Sequence, residues 1–588
     1  MFGVVGFTMS TGYHQKSAIR FGEFELDRSG ELRSDGRKVK LQVQPSQILR
    51  ILIARPGEIV SREELRQEIW PSNTFVDFDH GINNAIKRLR EGLGDTAETP
   101  RFIETIPRRG YRFVGAIQTA QVSSQPNDSI DSIAVFPLFN AASDPDTDYL
   151  SLGIPGSVIQ SLSRIPGLRV IAWGMLADLK DIGFDPLAIG RKLQVKAVLT
   201  GRMCVRSTRL RLQVDLIDTV NGQELWGDQY DRELTQLFKV QDEVSIEVSH
   251  KLRLKLSGED QTQVTRRYTD DIEAYRLYVR GRRYGEVRSV EGFRKAVECL
   301  QQAVRRDPGY ALAYAELAQV LHTPAYYASV SPHEAYPKAR EIALKALAMD
   351  DTLAEAHDAL ATVKQNYDRD WIGSEEEYER SVELNPNYPV GRFHFAMHLA
   401  MLGRFEEAVR EAREGQTREP VSGIMNAGLA WILVTAREFD WCIEQSHTAI
   451  DVDPTVTLSY VALGTAYEQK RMYAEAISSY EKGINIGGAV ALSKAFLGHV
   501  YGSAGDYDKA REILQELEEM SGRLYMPALN RAIVYDGLKE TDLGIEALEQ
   551  SLRDRDTLII FIKVWPQFDH LRTDPRFPDI ERRLGLRT

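Results

Sequence analysis

Cysteine is scarce in this 588-residue chain, which has only Cys204, Cys299 and Cys442, all far apart. Because no CxxC pair occurs, the sequence indicates neither a disulfide framework nor a cysteine-based zinc module, and a reducing cytoplasm fits best. Long apolar runs are also missing. The uncharged stretch from Pro420 to Ala436 contains Asn426 and falls short of the roughly 20 apolar residues that a membrane span needs. We therefore expect a soluble cytoplasmic protein without a membrane partner.

Motifs for catalysis and cofactor binding are equally lacking. Neither GxxxxGK(S/T) nor GxGxxG occurs, and no serine, cysteine or carboxylate constellation indicates a reaction. Asp144, Asp146 and Asp148 are spaced like the start of an EF-hand, but the required glycine and terminal glutamate are missing, which favours a polar loop. His394 and His398 lie four apart, as helical zinc ligands do, yet no glutamate stands between them and no third ligand is evident. We interpret them as surface histidines, and we expect no enzymatic activity, metal or cofactor.

The formal net charge of −12 is unevenly distributed. Residues 19–117 carry 17 basic and 15 acidic side chains, a balance of +2, so the excess of acid lies downstream. Since an acidic surface repels phosphate, binding to nucleic acid should be confined to this first segment and should weaken steeply with salt.

The stretch from Phe78 to Phe113 has the pattern that most favours duplex DNA as a partner. Its apolar residues recur at helical spacing, at Ile82, Ile86, Leu89 and Leu93. The opposite face is polar and basic, with His80, Asn84, Lys87 and Arg88. Two strands are predicted next, Phe102–Thr105 and Tyr111–Val114, joined by Pro107, Arg108, Arg109 and Gly110. The pattern predicts a recognition helix followed by an arginine-tipped hairpin.

A capping box precedes this helix, because Ser61 is followed three residues later by Glu64 in SREELRQEIW. Through SREEL…W, the INNAIKRLREGLGD helix and PRFIETIPRRGYRFVG, residues 19–117 resemble the OmpR-type winged-helix domain of CadC- and ToxR-like bacterial regulators. The N-terminal strands that this resemblance implies are supported independently by an alternating apolar pattern, Ile19, Phe21, Phe24 and Leu26.

In that family the recognition helix enters the major groove and the wing reaches a neighbouring minor groove. The resemblance implies DNA contacts at the matching positions, His80, Lys87, Arg88 and Arg90. Asn84 can bind adenine bidentately, and Lys87 or Arg88 can donate to guanine. Contacts to phosphate or the minor groove are expected from Arg90, Arg108 and Arg109. Ala85 stands where relatives often carry a polar side chain. The DNA sequence that this helix binds therefore cannot be inferred from those relatives. The alternative, a merely solvated basic face, is weakened by the wing and the capping box.

After a polar linker, QTAQVSSQPNDS, strands and helices alternate. SIAVFPL and LRVIAW are predicted strands on either side of a helix at Tyr149–Ser163. Further strands follow from Ala197, with a hairpin turn at Asn221-Gly222, and another helix is predicted from Leu234 to Leu254. Through SIAVFPL, YLSLGI and LTGR…LRLQVDLIDTVNGQELWGDQYDR, this region is similar to the amino-terminal domain of the TolB-like family, a likeness that implies little chemistry.

From about Asp271 the sequence repeats with a period of 34 residues. Small residues recur at this interval in two series, Ala396, Ala430, Gly464 and Gly498, and Ala408, Cys442, Ala476 and Ala510. Small side chains at fixed positions let two antiparallel helices approach closely, so the spacing predicts tetratricopeptide repeats, about seven or eight units. The tail FIKVWPQFDHLRTDPRFPDIERRLGL is predicted to cap the array.

The first helix of each repeat should line a concave groove. By register, its inward positions are apolar: Val390, Phe393, Met397, Met401, Trp431, Val434, Leu458 and Val461. An apolar groove predicts a protein or peptide ligand. The competing interpretation, that several of these residues only pack against neighbouring helices, stays open.

The sequence therefore predicts a multidomain α+β protein: a winged helix-turn-helix, a small α/β domain and an all-α tetratricopeptide-repeat solenoid. The expected boundaries are a tail at 1–18, the winged helix at 19–117, a linker at 118–130, the TolB-like domain at 131–258, repeats at 271–555 and a cap at 556–588.

This organisation predicts a sequence-specific DNA-binding transcriptional regulator whose repeats sense or recruit a protein partner, with a possible homodimer on DNA. Fewer than 20 residues precede Ile19, so we expect no receiver domain and no control by aspartyl phosphorylation. The alternative is a repeat-based scaffold whose winged helix contacts protein rather than DNA.

Overall fold

The computed structural model describes residues 19–22, 24–26, 32–34, 37–39, 43–55, 57, 59–62, 64–65, 78–96, 99–106, 109–115, 117–119, 130–142, 144, 147–165, 167–172, 185–252, 267–487, 489–521 and 525–586. The chain divides into two compact units, residues 1–127 and 128–588. Within the described ranges, none of the helices combines the length and apolar character that crossing a bilayer requires.

In the described part of unit 1, helices α1 (Val43–Ala54) and α2 (Phe78–Leu93) share one core with two antiparallel sheets. The first sheet has the order β4-β3-β2-β1-β8, with β1 Ile19–Phe21, β2 Phe24–Leu26, β3 Leu32–Ser34, β4 Arg37–Lys38 and β8 Ile117–Thr119. The second has the order β5-β7-β6, with β5 Ile59–Ser61, β6 Ile103–Ile106 and β7 Gly110–Phe113.

Phe21 joins these two sheets. It is completely buried, and its ring centroid lies 5.4 Å from that of Phe102 and 5.3 Å from that of Phe113, both edge to face. This orientation is favourable for aromatic pairs. The predicted wing strands are present, each shifted by one residue from the predicted bounds.

The N-terminal part of unit 2 is built around a sheet that has, among the described residues, the order β11-β9-β12-β13-β14, with β10 also paired to β12. The strands are β9 Ser132–Val135, β10 Phe139–Asn140, β11 Arg169–Ala172, β12 Ala197–Arg206, β13 Arg209–Asp218 and β14 Glu224–Glu233. The helices of this part are α3 Tyr149–Ser163, α4 Pro186–Leu193 and α5 Leu237–Lys251. The predicted Asn-Gly turn joins β13 to β14, where Gly222 has a φ of 75°, a conformation that favours glycine.

The C-terminal part of unit 2 is a stack of antiparallel helix pairs, eight of them within the described residues. The inner helices are α6 Ile272–Glu286, α8 Ala311–Tyr326, α10 Ala354–Val363, α12 Pro389–Leu402, α14 Gly423–Thr435, α16 Thr457–Gln469, α18 Val490–Ala504 and α20 Ala528–Leu538. Their outer partners are α7 Val290–Arg306, α9 Pro332–Met349, α11 Trp371–Leu384, α13 Phe405–Arg418, α15 Phe439–Val452, α17 Tyr473–Ile486, α19 Tyr507–Ser521 and α21 Thr541–Arg553.

The small residues of the 34-residue period lie where paired helices touch. A Cβ atom on Gly464 would lie 2.6 Å from the Tyr480 ring, so α16 and α17 could not approach as they do with a larger residue. Ala408, Cys442 and Ala476 are completely buried on the outer helices. The repeat prediction is confirmed.

Residues 556–586, here called the C-terminal segment, follow the last pair. They form three short 3₁₀ turns, Thr557–Phe561, Pro566–Phe568 and Leu571–Thr573, and helix α22, Phe577–Arg583. The segment packs against α21, as a cap would, since Arg583 pairs with Glu549 at 2.8 Å. It also contacts the inner helices, because its Trp565 ring lies 5.2 Å from that of Trp431 on α14. The prediction of an end cap is therefore incomplete.

Candidate nucleic-acid interface and repeat groove

Helix α2 buries one face and exposes the other. The buried stripe consists of Ile82, Ala85, Ile86, Leu89 and Leu93, none more than 3% exposed. Asn84, Lys87 and Arg88 are exposed on the opposite side. Ala85 therefore belongs to the core and is too deep to contact a base. The side chain of His80 lies outside the described residues, so its predicted role stays a prediction.

The predicted capping box is confirmed. The backbone N–H of Ser61 donates to Glu64 Oε2 at 2.7 Å, and the N–H of Glu64 donates to Ser61 Oγ at 3.2 Å. Hydrogen bonds that the Glu64 carboxylate accepts from the side chain and backbone of Ser61 hold the pKa of Glu64 below its usual value. Most of the helix predicted after this box, from position 66 onward, lies outside the described residues.

A polar cluster that the sequence did not indicate ties α2 to the wing. Tyr111 Oη on β7 donates to Asn83 Oδ1 on α2 at 3.0 Å. Arg62 Nη2 donates to the same oxygen at 2.9 Å and to Tyr111 Oη at 3.0 Å. Because Arg62 lies in the capping turn, three elements converge on one amide oxygen. The only sequence signal was the position of Asn83 on the flank of α2.

Arg90 also lies on that flank, and its guanidinium is engaged within the domain. Arg90 Nη2 donates to the Ile103 carbonyl oxygen and to Thr105 Oγ1 on β6, both at 2.8 Å. The sequence predicted a phosphate or minor-groove contact, but the structure directs this group to the wing strand. Arg90 thus positions α2 against β6, which sequence spacing could not show because the partner lies 13 residues away.

Asp95 fixes the turn between α2 and the wing. It is 7% exposed, and its carboxylate accepts hydrogen bonds from four backbone N–H groups. The donors are Thr96, Arg101, Phe102 and Ile103, at 2.7–3.1 Å. A carboxylate with so many donors is a strong local restraint, so the direction in which β6 leaves α2 is set here.

The wing carries one described basic residue at its tip. Arg109 is exposed, whereas Pro107 and Arg108 lie outside the described residues. Next to it, Gly110 has a φ of 154°, and a Cβ atom there would lie 2.0 Å from the Val60 carbonyl oxygen. Only glycine allows β7 to pass β5 this closely. Arg112 and Glu104 pair across the two wing strands at 2.6 Å.

The predicted groove is only partly open, and the burial of half of its residues agrees with the competing interpretation that several of them only pack within the fold. Four of its eight residues are almost fully buried, at 0–3% exposure: Met401, Trp431, Val434 and Val461. The other four are half-buried: Val390, Phe393, Met397 and Leu458. Trp431 is covered by the C-terminal segment. The sequence predicts the tail at the end of the array, and no local pattern indicates that it would contact Trp431.

The interpretation of His394 and His398 as surface residues is wrong. His398 is completely buried, with Nδ1 2.8 Å from Gln365 Oε1. His394 Nδ1 lies 3.0 Å from the carboxylate of Asp358, which is also buried. Across the described parts of the chain, no three His, Cys, Asp or Glu side chains come together as metal ligands. Of the EF-hand-like aspartates, Asp146 lies outside those parts.

Three family models match parts of the chain. The model described as "Transcriptional regulatory protein, C terminal" matches residues 36–113. "HilA/YgeH-like transcriptional regulator, second domain" matches residues 129–246. "Tetratricopeptide repeat" matches residues 458–486 and 493–522. The chain thus has an OmpR-type winged helix and tetratricopeptide repeats.

Curated relatives include transcriptional regulators of this type. The transcriptional regulator HilA of Salmonella typhimurium is 22% identical over 508 residues, 84% of this chain and 88% of the relative. The cholera toxin transcriptional activator of Vibrio cholerae is 32% identical over 83 residues, 14% of this chain and 28% of the relative. The putative adenylate cyclase 3 of Rhizobium meliloti is 28% identical over 309 residues, 52% of this chain and 49% of the relative, so the chain spans about half of that protein's length.

Proposed function

We propose that this chain is a transcriptional regulator that binds specific duplex DNA through α2 and the wing. The observation that carries the proposal is the exposed trio Asn84, Lys87 and Arg88 on a helix fixed by its buried stripe and its bonds to the wing. A rigidly held helix can present such side chains to base edges in the major groove. In this proposal His80 adds a contact from α2, while Arg108 and Arg109 contact phosphate or the minor groove.

Unit 2 is proposed to receive the input that controls DNA binding. The match to HilA, a protein described as a transcriptional regulator, supports this division, since it covers 84% of this chain and so extends from the winged helix into the repeats of this chain. We keep the TolB-like assignment of residues 131–258, the protein partner of the repeats and a homodimer on paired half-sites as parts of the proposal. We propose no enzymatic role, and the adenylate cyclase name belongs to that relative alone.

Selection of randomised duplexes with the full-length protein tests the proposal. We expect a motif to be enriched, and Lys87→Ala/Arg88→Ala to abolish the enrichment. The matched control is Arg191→Ala/Lys192→Ala, which removes an adjacent exposed pair of basic residues from helix α4. It should enrich the same motif as the unmodified protein.

Two outcomes would overturn the proposal. Failure of the unmodified protein to enrich any motif at low salt would favour the alternative, a scaffold whose winged helix contacts protein. Enrichment that survives the Lys87/Arg88 substitutions would remove α2 from the interface.

A further inference from the structure

Helix α14, on the inner side of the repeats, has no open face. Every residue from Met425 to Thr435 is buried, whereas the outer helix α13 buries only one stripe, Ala408, Ala412 and Gly415. A helix that lined an empty groove would expose a stripe of its own, since residues three or four apart share a face. The inner side of α14 is therefore covered.

The cover is an aromatic group from the C-terminal segment. Trp565 is 1% exposed, and its ring centroid lies 5.2 Å from that of Trp431 on α14 and 5.6 Å from that of Phe496 on α18. Phe561 stacks on the same indole at 4.9 Å. Trp565 thus fills the space between two inner helices as an anchor residue fills a pocket.

Polar side chains of the repeats bind the main chain and side chains of the segment. Trp371 Nε1 donates to the Leu584 carbonyl oxygen at 2.7 Å. Asp536 Oδ1 accepts a hydrogen bond from the backbone N–H of Leu571 at 2.8 Å. Both contacts are made to main-chain groups, which every peptide carries.

A bidentate ion pair adds a charged contact. Arg437 Nη2 lies 2.6 Å from Asp569 Oδ1, and Nη1 lies 2.8 Å from Oδ2. Both side chains are a little over 40% exposed, so the pair lies at the rim of the groove and not at its floor. The parallel geometry gives directional recognition of one carboxylate.

These contacts are not confined to the last helix pair, because they reach back to earlier pairs of the array. Trp371 belongs to the third helix pair and Asp536 to the last, with Arg437 and Thr465 between them. Gln567 Nε2 reaches Thr465 Oγ1 at 3.3 Å. A segment that only covered the last helix pair would not need contacts with Trp371, Arg437 and Thr465, which all precede that pair in the sequence.

We propose that the C-terminal segment is a built-in peptide ligand of the repeat groove, exchangeable for a free peptide of the same chemistry. Such a peptide carries an aromatic anchor and a carboxylate placed for Arg437. While the segment is seated, the part of the groove around Trp431 is closed to a partner. The consequence for gene control rests on the function proposed above, but the occupancy of the groove does not.

Cutting the chain once tests this exchange. A site-specific protease sequence inserted between Arg553 and Asp554 of the full-length protein lets the segment be severed after folding. A fluorescent synthetic peptide of residues 554–588 is then added, and its incorporation is followed by fluorescence anisotropy. We expect the cut protein to keep its helical circular dichroism and to take up the peptide, and the uncut protein to take up none.

Peptide variants locate the binding. The Trp565→Ala peptide should bind on the order of 100-fold more weakly, and the Asp569→Ala peptide about 3-fold more weakly, because that ion pair is partly solvated. The matched control is Arg582→Ala, since Arg582 pairs with Asp579 inside the segment itself. It should bind as the unmodified peptide does.

Three results would overturn the proposal. They are loss of helical signal on cutting, no uptake in a day by a cut protein that stays folded, and equal uptake of the Trp565→Ala peptide. The first two would make the segment a permanent part of the fold, and the third would place the label outside the groove. The assay contains no DNA, so its outcome is independent of the test of DNA binding.

Discussion

Helices α2 and α14 are both built on apolar residues at helical spacing, yet one presents an open face and the other none. On α2 the face opposite the core carries Lys87 and Arg88 and stays exposed. On α14 the face opposite α15 includes Trp431 and is covered by the chain's own C-terminal segment. The residue types on the face turned away from the core of α2, or from α15 in the case of α14, decide whether that face stays exposed or is covered.

Charge explains why α2 remains open. Moving a charged guanidinium or ammonium group from water into contact with apolar side chains costs several kcal/mol, so an apolar segment does not cover that face favourably. An apolar face is under the opposite constraint, because contact with water is unfavourable by about 25 cal/mol per Å². The open face is therefore suited to a polyanion, and the apolar face is satisfied internally.

The largest effect is expected when the contact between Trp431 and Trp565, which covers α14, is removed. We expect Trp431→Ala to lower the free energy of unfolding of unit 2 by about 3–5 kcal/mol, because it leaves a cavity against Trp565. The measurement is denaturant unfolding followed by circular dichroism. The matched control, Trp441→Ala on the outer helix α15, removes a half-buried indole beneath Arg413 and should cost much less. Equal losses would contradict the role assigned to the segment.

A buried cluster of charged side chains lies beneath the C-terminal segment. It should make the free energy of unfolding of unit 2 depend on pH. His499 Nδ1 lies 2.6 Å from Glu468 Oε1, and Nε2 lies 3.3 Å from Asp536 Oδ2. Burial lowers the pKa of His499, but the two carboxylates raise it more, to about 10, against an ordinary value of 6.5. The stabilisation should be complete below pH 6.5 and should be lost as the pH rises toward 10.

We therefore expect the unfolding free energy to fall by roughly 2–4 kcal/mol between pH 6.5 and 10 through this group. His499→Gln should flatten that dependence, and denaturant titrations at several pH values measure it. His447→Gln serves as a control because His447 is exposed. The same slope in the His499 variant would show that another group is responsible.

The α2 side can be tested through its connection to the wing. Asp95→Ala should speed amide hydrogen exchange in β6 and β7 by about 10- to 100-fold, as expected for a loss of 1–3 kcal/mol when buried N–H donors lose their acceptor. Glu91→Ala, an exposed change on the same helix, should leave exchange unaltered. Unchanged protection in the Asp95 variant would show that the turn is held by other contacts.

The smallest predicted effect distinguishes a residue that positions α2, Arg90, from a residue of α2 that contacts DNA, Lys87. Arg90→Ala should weaken DNA binding by about 1 kcal/mol without changing its salt dependence, because its guanidinium binds Ile103 and Thr105. Lys87→Ala, if Lys87 neutralises a phosphate, should instead lower the slope of log K against log salt by about 1. Binding titrations over a range of salt concentrations measure both. A reduced slope for Arg90→Ala would instead show that Arg90 contacts a phosphate, as the sequence predicts.

Local patterns were sufficient for much of this protein. The capping box at Ser61, the helix beginning near Phe78, the wing strands and the 34-residue period are all encoded within short windows, because backbone hydrogen bonds and side-chain periodicity are local. The exposed trio on α2 follows from the same periodicity.

Other features depend on residues far apart in the chain. Asn83 and Tyr111 are 28 residues apart, and Trp431 and Trp565 are 134 apart, so no window contains both partners. His398 was assigned to the surface because its spacing says nothing about Gln365, which it meets only in the folded stack.

The sequence by itself determined which helix faces are charged and which are apolar, since those follow from residue type and a period of 3.6. Only the tertiary structure decided what covers each face, because apolar burial is non-directional and does not specify its partner. Among the apolar surfaces that could have covered α14, the fold selected the chain's own C-terminal segment.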